Sequence, residues 1–222
     1  MTDSKQLRVD THVHTSHSKD SRASPADVVR RALELGLDAI AVTDHNSVGG
    51  SLEAEKAAEG TGLIVIPGQE IRALEGEVIV LGLRRDLPSG LSALETARMA
   101  REAGGFVIIP HPFDMMRNGI GKTMLGCLDY IDAVEIFNSR TIFNRFNNKA
   151  RDFADETKTP AVVGSDSHFL DEMGKSFLLV SAPRETGAIL DAIRSGRTEP
   201  VIRRQSMASS IKRGLMKIRT YF

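Results

Sequence analysis

Eight short apolar runs, most followed by a helical pattern, govern what this chain can fold into, and several of them end in a histidine or a carboxylate. The runs cover residues 7–13, 39–43, 63–71, 78–83, 106–110, 133–137, 161–164 and 177–180, and helical patterns cover 25–36, 48–59, 91–103, 143–157 and 184–195. Strands alternating with helices are the signature of an α/β fold with parallel strands joined by crossover helices. Seven or eight such units predict a closed or nearly closed β/α barrel. A doubly wound open sheet would present its strand ends in the same way. Ser24-Pro25 is read as an N-cap with proline at the first helical position, and Gly36 and Gly104 as helix stops.

Five of the six histidines sit beside the ends of these runs, in Asp10-Thr11-His12-Val13-His14, Asp44-His45, Pro110-His111-Pro112 and Asp166-Ser167-His168. A strand points alternate side chains to one face, so His12 and His14 should project side by side with Asp10. Imidazoles and carboxylates arriving together at several strand ends would make a costly core unless a cation neutralised them. Neutral imidazole and carboxylate suit Mn, Fe and Zn, and Cys127, the single cysteine, leaves no closed thiolate site. It also excludes an internal disulfide.

The 222 residues suffice for one domain with a substantial core. The polar start from Met1 to Gln6 lacks a secretory pattern, and no run reaches the roughly 20 apolar residues needed to span a bilayer, so a cytoplasmic protein is expected. Lys+Arg and Asp+Glu both number 29, yet six of the bases and none of the acids follow position 202. We therefore expect a hydrolase domain over residues 1–202 and a basic amphipathic tail over 203–222. Met207, Ile211, Leu215, Ile218 and Phe222 fall on one helical stripe of that tail. It is read as docking on the barrel, lying on a membrane surface or touching nucleic acid.

The run from Asp10 to Ser21, then Thr43-Asp44-His45-Asn46, Gly68-Gln69-Glu70, Pro110-His111-Pro112-Phe113, Glu135-Ile136-Phe137-Asn138 and Gly164-Ser165-Asp166-Ser167-His168-Phe169 resemble, in this order, the PHP (polymerase and histidinol phosphatase) family. The likeness covers about residues 8–200. It implies a distorted seven-stranded β/α barrel holding two or three divalent metals (Mn, Fe or Zn), most often for phosphoester hydrolysis. By resemblance, His12, His14, Glu70 and Asp166 surround one metal, and Glu70 bridges to a second held also by His111. Asp20, His45 and His168 hold the third. Where the commonest family pattern has a histidine, this chain has Glu77, read either as a carboxylate ligand to the second metal or as a solvent-facing glutamate.

Paired metals acidify a bridging water, orient it in line with phosphorus and stabilise the leaving oxygen, so no nucleophilic side chain is needed. Asp10, Asp44 and Asn138 are read as outer groups that fix imidazole tautomers. Glu135 is either such a group or a proton donor to the leaving group, and His17 either a solvated loop residue or a general acid. Arg22, Arg117, Lys122 and Arg140 are candidate phosphate clamps.

The expected function is a metal-dependent phosphoesterase acting on a phosphomonoester or terminal phosphodiester of a small metabolite, nucleotide or short oligonucleotide. Long nucleic acid is disfavoured, because only 5% of residues are aromatic. The alternatives are amidohydrolase-like hydrolysis at carbon and a non-catalytic metal-binding sensor or scaffold.

Overall fold

The computed structural model describes residues 6–203, so the amphipathic stripe of the tail lies outside the described residues. Within them the chain runs β1 (Leu7–Val13), α1 (Pro25–Glu34), β2 (Ala39–His45), α2 (Gly49–Ala58), β3 (Ile64–Arg72), β4 (Glu77–Leu81) and α3 (Ala93–Glu102). It continues through β5 (Phe106–Ile109), β6 (Ala133–Asn138), α4 (Asn144–Thr157), β7 (Ala161–Gly164), β8 (Ser176–Val180), α5 (Thr186–Arg194) and β9 (Thr198–Ile202).

All strands belong to one sheet in the order β7-β6-β5-β4-β3-β2-β1-β8-β9. The first seven curl towards a ring, closed by one parallel bridge between Val13 and Ser167 just beyond β7. The ring is distorted because the free edge of β1 is shared. Its first half, Leu7–Val9, pairs antiparallel with β8, which in turn pairs with β9, and only its far end reaches the β7 side.

Not every pairing is parallel. β4 runs antiparallel to both β3 and β5, because only Ala73 to Gly76 separate it from β3, and a parallel crossover needs a dozen or more residues. In that link Gly76 lies against Asn118 O, where a Cβ would come within 2.2 Å. Two further pieces, the 3-10 segments Met115–Arg117 and Gly121–Tyr130, fill the β5–β6 connection.

The helices begin where the side chains dictate. Ser24 Oγ accepts from Asp27 N at the start of α1 with Pro25 following, and Ser92 and Glu95 form a reciprocal capping box on α3. Gly36 and Gly104 follow α1 and α3 with φ of 65° and 85°. On α1, Val28, Val29 and Ala32 are buried, whereas Leu33 turns outward.

Three apolar layers result. Leu7, Val9, Ala39, Ala41, Ile66 and Ile108 from the strands form one cluster with Ile189, Leu190 and Ile193 of α5. A second cluster joins Ile40, Val42 and Val65 to α1 and α2, and a third joins Val80, Val107 and Ile109 to α3 and α4. Each fully buried aliphatic side chain contributes about 1.5–3 kcal/mol, so the strand framework is held from both sides. Among the described residues no helix is long and apolar enough to cross a membrane.

Candidate metal centre

The carboxyl ends of the parallel barrel strands converge, together with the amino end of antiparallel β4. β1 delivers His12 and, one residue beyond its end, His14; β2 delivers His45, β3 Glu70 and β4 Glu77, while His111 follows β5 and Asp166 and His168 follow β7. His111 and Asp166 adopt φ of 31° and 50°. Left-handed backbone is uncommon away from glycine, and it clusters at sites where the surroundings hold it in place. At both positions it occurs just after a strand end, where the chain leaves the barrel.

Glu70 lies at the centre. Its Oε1 is 3.4 Å from His12 Nε2 and 3.2 Å from His111 Nε2, and its Oε2 is 3.5 Å from His14 Nε2 and 3.0 Å from His45 Nδ1. Asp166 Oδ1 stands 3.7, 3.5 and 3.4 Å from His12, His14 and His168. Asp20 joins the outer pair, 3.5 Å from His45 and 3.0 Å from His168. Burial opposes ionisation of Glu70 and Asp166, but the surrounding imidazoles, with Arg117 and Arg140 beside Asp166, hold both carboxyls well below their usual range.

The tautomers of the β1 pair follow from their partners. His12 Nδ1 faces the Glu135 carboxylate at 3.1 Å, so it carries the proton and Nε2 is a lone pair. Ser18 Oγ spends its hydrogen on Asp44 Oδ1 at 2.6 Å, so it can only accept from His14 Nδ1 at 3.1 Å, and His14 Nε2 is again a lone pair. These two Nε2 atoms stand 3.0 Å apart. Two lone pairs facing each other at that distance repel unless a positive charge lies between them. Two nitrogens each about 2.0–2.1 Å from a shared ion have about this separation, so the donor set fits a divalent metal.

Protonation trends divide the two rings: that of His14 agrees with a free Nε2 lone pair, and that of His12 runs the other way. Burial and the neighbouring His168 and His12 hold His14 well below the ordinary imidazole range. Burial also opposes protonation of His12, yet Asp166, Glu70 and Glu135 outweigh it and leave that group raised. Four sets of three ligand atoms lie within 4.8 Å of one another: His12, His14 and Glu70; His14, His45 and His168; His45, Glu70 and Glu77; His12, His111 and Glu135.

Glu77 is buried and lines the central cavity, with Oε2 3.8 Å from His111 Nε2 and Oε1 2.7 Å from Arg72 Nη1. Burial and the charge of Glu70 push its carboxyl up to about 7. The outer groups take distinct positions. Asn138 Nδ2 donates to Glu135 Oε2 and Asp166 Oδ2 at 2.9 and 3.1 Å. Asp44 reaches His14 through Ser18, and also binds Thr15 N and Oγ1. Asp10 touches no imidazole; it receives the backbone amides of Ser165, Gly174 and His12, because the β1 ladder is irregular between Asp10 and Val13.

A cavity of about 820 Å³ opens over the cluster. Arg117 and Arg140 line it, with Arg117 Nη1 2.8 Å from Asp166 Oδ2 and Arg140 Nη1 3.5 Å from Oδ1. Arg22 and Lys122 are exposed and lie outside its wall. Glu135 is also outside the wall, buried, with its Oε1 against His12 Nδ1. His17 turns away to Glu53 on α2, with Nε2 3.2 Å from Oε1, because the tight turn from Thr15 to Ser18 points it outward. Lys19, Arg72 and Ser18 were not singled out by sequence reasoning. Nothing in an isolated lysine, arginine or serine marks it, although Lys19 and Ser18 adjoin the Asp20 motif.

A family model described as PHP domain matches residues 10–159, and one described as PHP-associated matches 144–198. The chain belongs to the PHP family. This PHP protein is similar to an uncharacterised protein of Methanocaldococcus jannaschii, 36% identical over 143 residues that cover 60% of this chain and 82% of that one. It is 30% identical over 146 residues to the 3',5'-nucleoside bisphosphate phosphatase of Chromobacterium violaceum, covering 62% of this chain and 48% of the phosphatase, about half that protein's length. Its fold matches the solved structure of PsfC from Pseudomonas syringae with a TM-score of 0.72 at 20% identity, over 97% of this chain and 99% of that one.

Proposed function

We propose that this PHP protein is a metal-dependent phosphoesterase that hydrolyses a phosphomonoester or terminal phosphodiester of a small metabolite, nucleotide or short oligonucleotide. The reading rests on one observation above all: His45, Glu70, Glu77, His111, Asp166 and His168 line one cavity with two arginines, and His12 and His14 adjoin Glu70. His12, His14, Glu70 and Asp166 would hold one ion, Glu70, Glu77 and His111 a second, and Asp20, His45 and His168 a third. Divalent ions bound there activate water and stabilise charge on the phosphoryl oxygens.

The protein's own contribution is positioning. Glu135 and Ser18 keep the His12 and His14 lone pairs aimed inward, and Asn138 holds the Asp166 carboxylate. Arg117 and Arg140 present planar guanidinium groups to the cavity, suited to two oxygens of a phosphate. Hydrolysis at carbon would offer these two guanidinium groups no phosphate oxygens beyond their contacts to Asp166.

Elemental analysis of the purified protein, paired with phosphate release from sugar phosphates, mononucleotides, nucleoside bisphosphates and short oligonucleotides in added Mn, tests the proposal. Two or three metals per chain and release from one class are expected. Bound metal with no release across the panel would refute it.

A further inference from the structure

One wall of the cavity is apolar. Met116, Ile142 and Phe143 line it while remaining 70%, 62% and 48% exposed. Large apolar groups clustered in water beside a polar pocket mark a surface that something covers. They come from two loops, after β5 and after β6, and these loops also carry the arginines: Met116 adjoins Arg117, and Ile142 and Phe143 follow closely on Arg140.

The wall is built rather than incidental. Buried Asp114 accepts from Met116 N at 3.1 Å and from Thr141 Oγ1 at 2.9 Å, tying one loop to the other. Arg117 Nη2 reaches Arg140 O at 3.5 Å. Phe143 is braced from behind by Phe146, edge-on at 6.2 Å, and by the Arg145 guanidinium 5.1 Å from its ring. It is an aromatic ring held in place with about half its surface free.

We propose that Met116, Ile142 and Phe143 form a subsite for a planar ring carried by the alcohol half of the substrate, with Phe143 as the stacking residue. The proposal rests on the phosphoesterase reading and narrows it to phosphoesters of ring-bearing alcohols, nucleosides above all, over those of plain sugars. A phosphate held by Arg117 and Arg140 would lie beside the apolar side chains, which the same two loops carry. Elsewhere the cavity wall carries Lys19, Asn46 and Arg72, so the site suits a ring with one stacked face and polar edges, not a wholly apolar alcohol.

The test compares binding of adenosine 5'-monophosphate and ribose 5-phosphate to the full-length Mn-loaded protein, as wild type, Phe143→Ala and Phe143→Trp, with phosphate release followed in parallel. Wild type should favour the nucleotide at least tenfold. Stacking on an aromatic side chain contributes about 1–3 kcal/mol per base, so Phe143→Ala should reduce that preference about 5- to 150-fold, and Phe143→Trp should restore it. Equal affinity for the two ligands, a preference unchanged in Phe143→Ala, or no binding of the nucleotide while other esters are hydrolysed would overturn the subsite and leave the phosphoesterase standing. A Phe143-dependent preference without phosphate release from either ligand or from any ester of the wider panel would uphold the subsite and refute the phosphoesterase.

Discussion

Ser18→Ala isolates the role of a side chain that touches no proposed ion. The Ser18 hydroxyl donates to Asp44 Oδ1 at 2.6 Å and accepts from His14 Nδ1 and from the His45 backbone amide, both at 3.1 Å. Its removal leaves two buried donors without an acceptor, at about 1–3 kcal/mol each. It also frees His14 to carry its proton on Nε2, the atom that faces Glu70 and Asp166. Losing an outer partner of a metal-binding histidine costs about 10–100-fold in metal affinity. We therefore expect Ser18→Ala to melt earlier in the metal-free state and to bind Mn or Zn about 10–100-fold more weakly in competition with a chelating indicator. If Asp44 acts on the site through Ser18, adding Asp44→Asn to Ser18→Ala should cost less affinity than Asp44→Asn alone. Metal affinity within twofold of wild type in Ser18→Ala would refute the tautomer argument.

Four further outcomes follow from the geometry. Glu70→Ala removes the carboxylate shared by His12, His14, His45 and His111, so elemental analysis should find metal lost and phosphate release abolished; a full metal complement would contradict the bridging role. Arg117→Lys keeps charge but loses the planar fork, and kcat/KM for a phosphoester should fall about tenfold, the worth of one charge-assisted bond, with unchanged kinetics counting against the clamp. His17→Ala should leave turnover within about twofold, as expected of a surface substitution, since its ring faces Glu53; a large loss at constant metal content would make it the acid after all. Gly76→Ala drives a Cβ towards Asn118 O, and displaced backbone of this kind costs about 1–3 kcal/mol. That corresponds to roughly 3–10 °C in Tm at this chain length, and an unaltered melting curve would show that the contact is soft.

The barrel strands were legible because each is a run of apolar residues that must be covered. β9 was not, since Thr198, Glu199 and Pro200 on an outer, largely exposed strand carry no such pattern. The Gly121–Tyr130 segment shows neither period and contains Gly126, so it could not be read as an element. At the site, paired His and Asp motifs at strand ends announced themselves, whereas loop direction did not. His17 lies between His14 and Asp20 in sequence yet faces α2, and Arg22 and Lys122 stay outside the cavity wall. Which way a loop side chain turns depends on tertiary contacts such as Asp114 to Thr141, and these have no local sequence signal.

The shared edge of β1 gives the metal ligands a second consequence. His12 and His14 stand on one lip of the incomplete join and Asp166 and His168 on the other, where Val13 and Ser167 make the single bridge. Thr11 Oγ1 to Val163 O, Ser165 N to Asp10 Oδ1 and Ser165 Oγ to His12 O tie the same join, and a cation held by residues of both lips would add a further tie across it. The same ligand bonds would then serve as latch and as reagent, fastening the ring by the act that arms it.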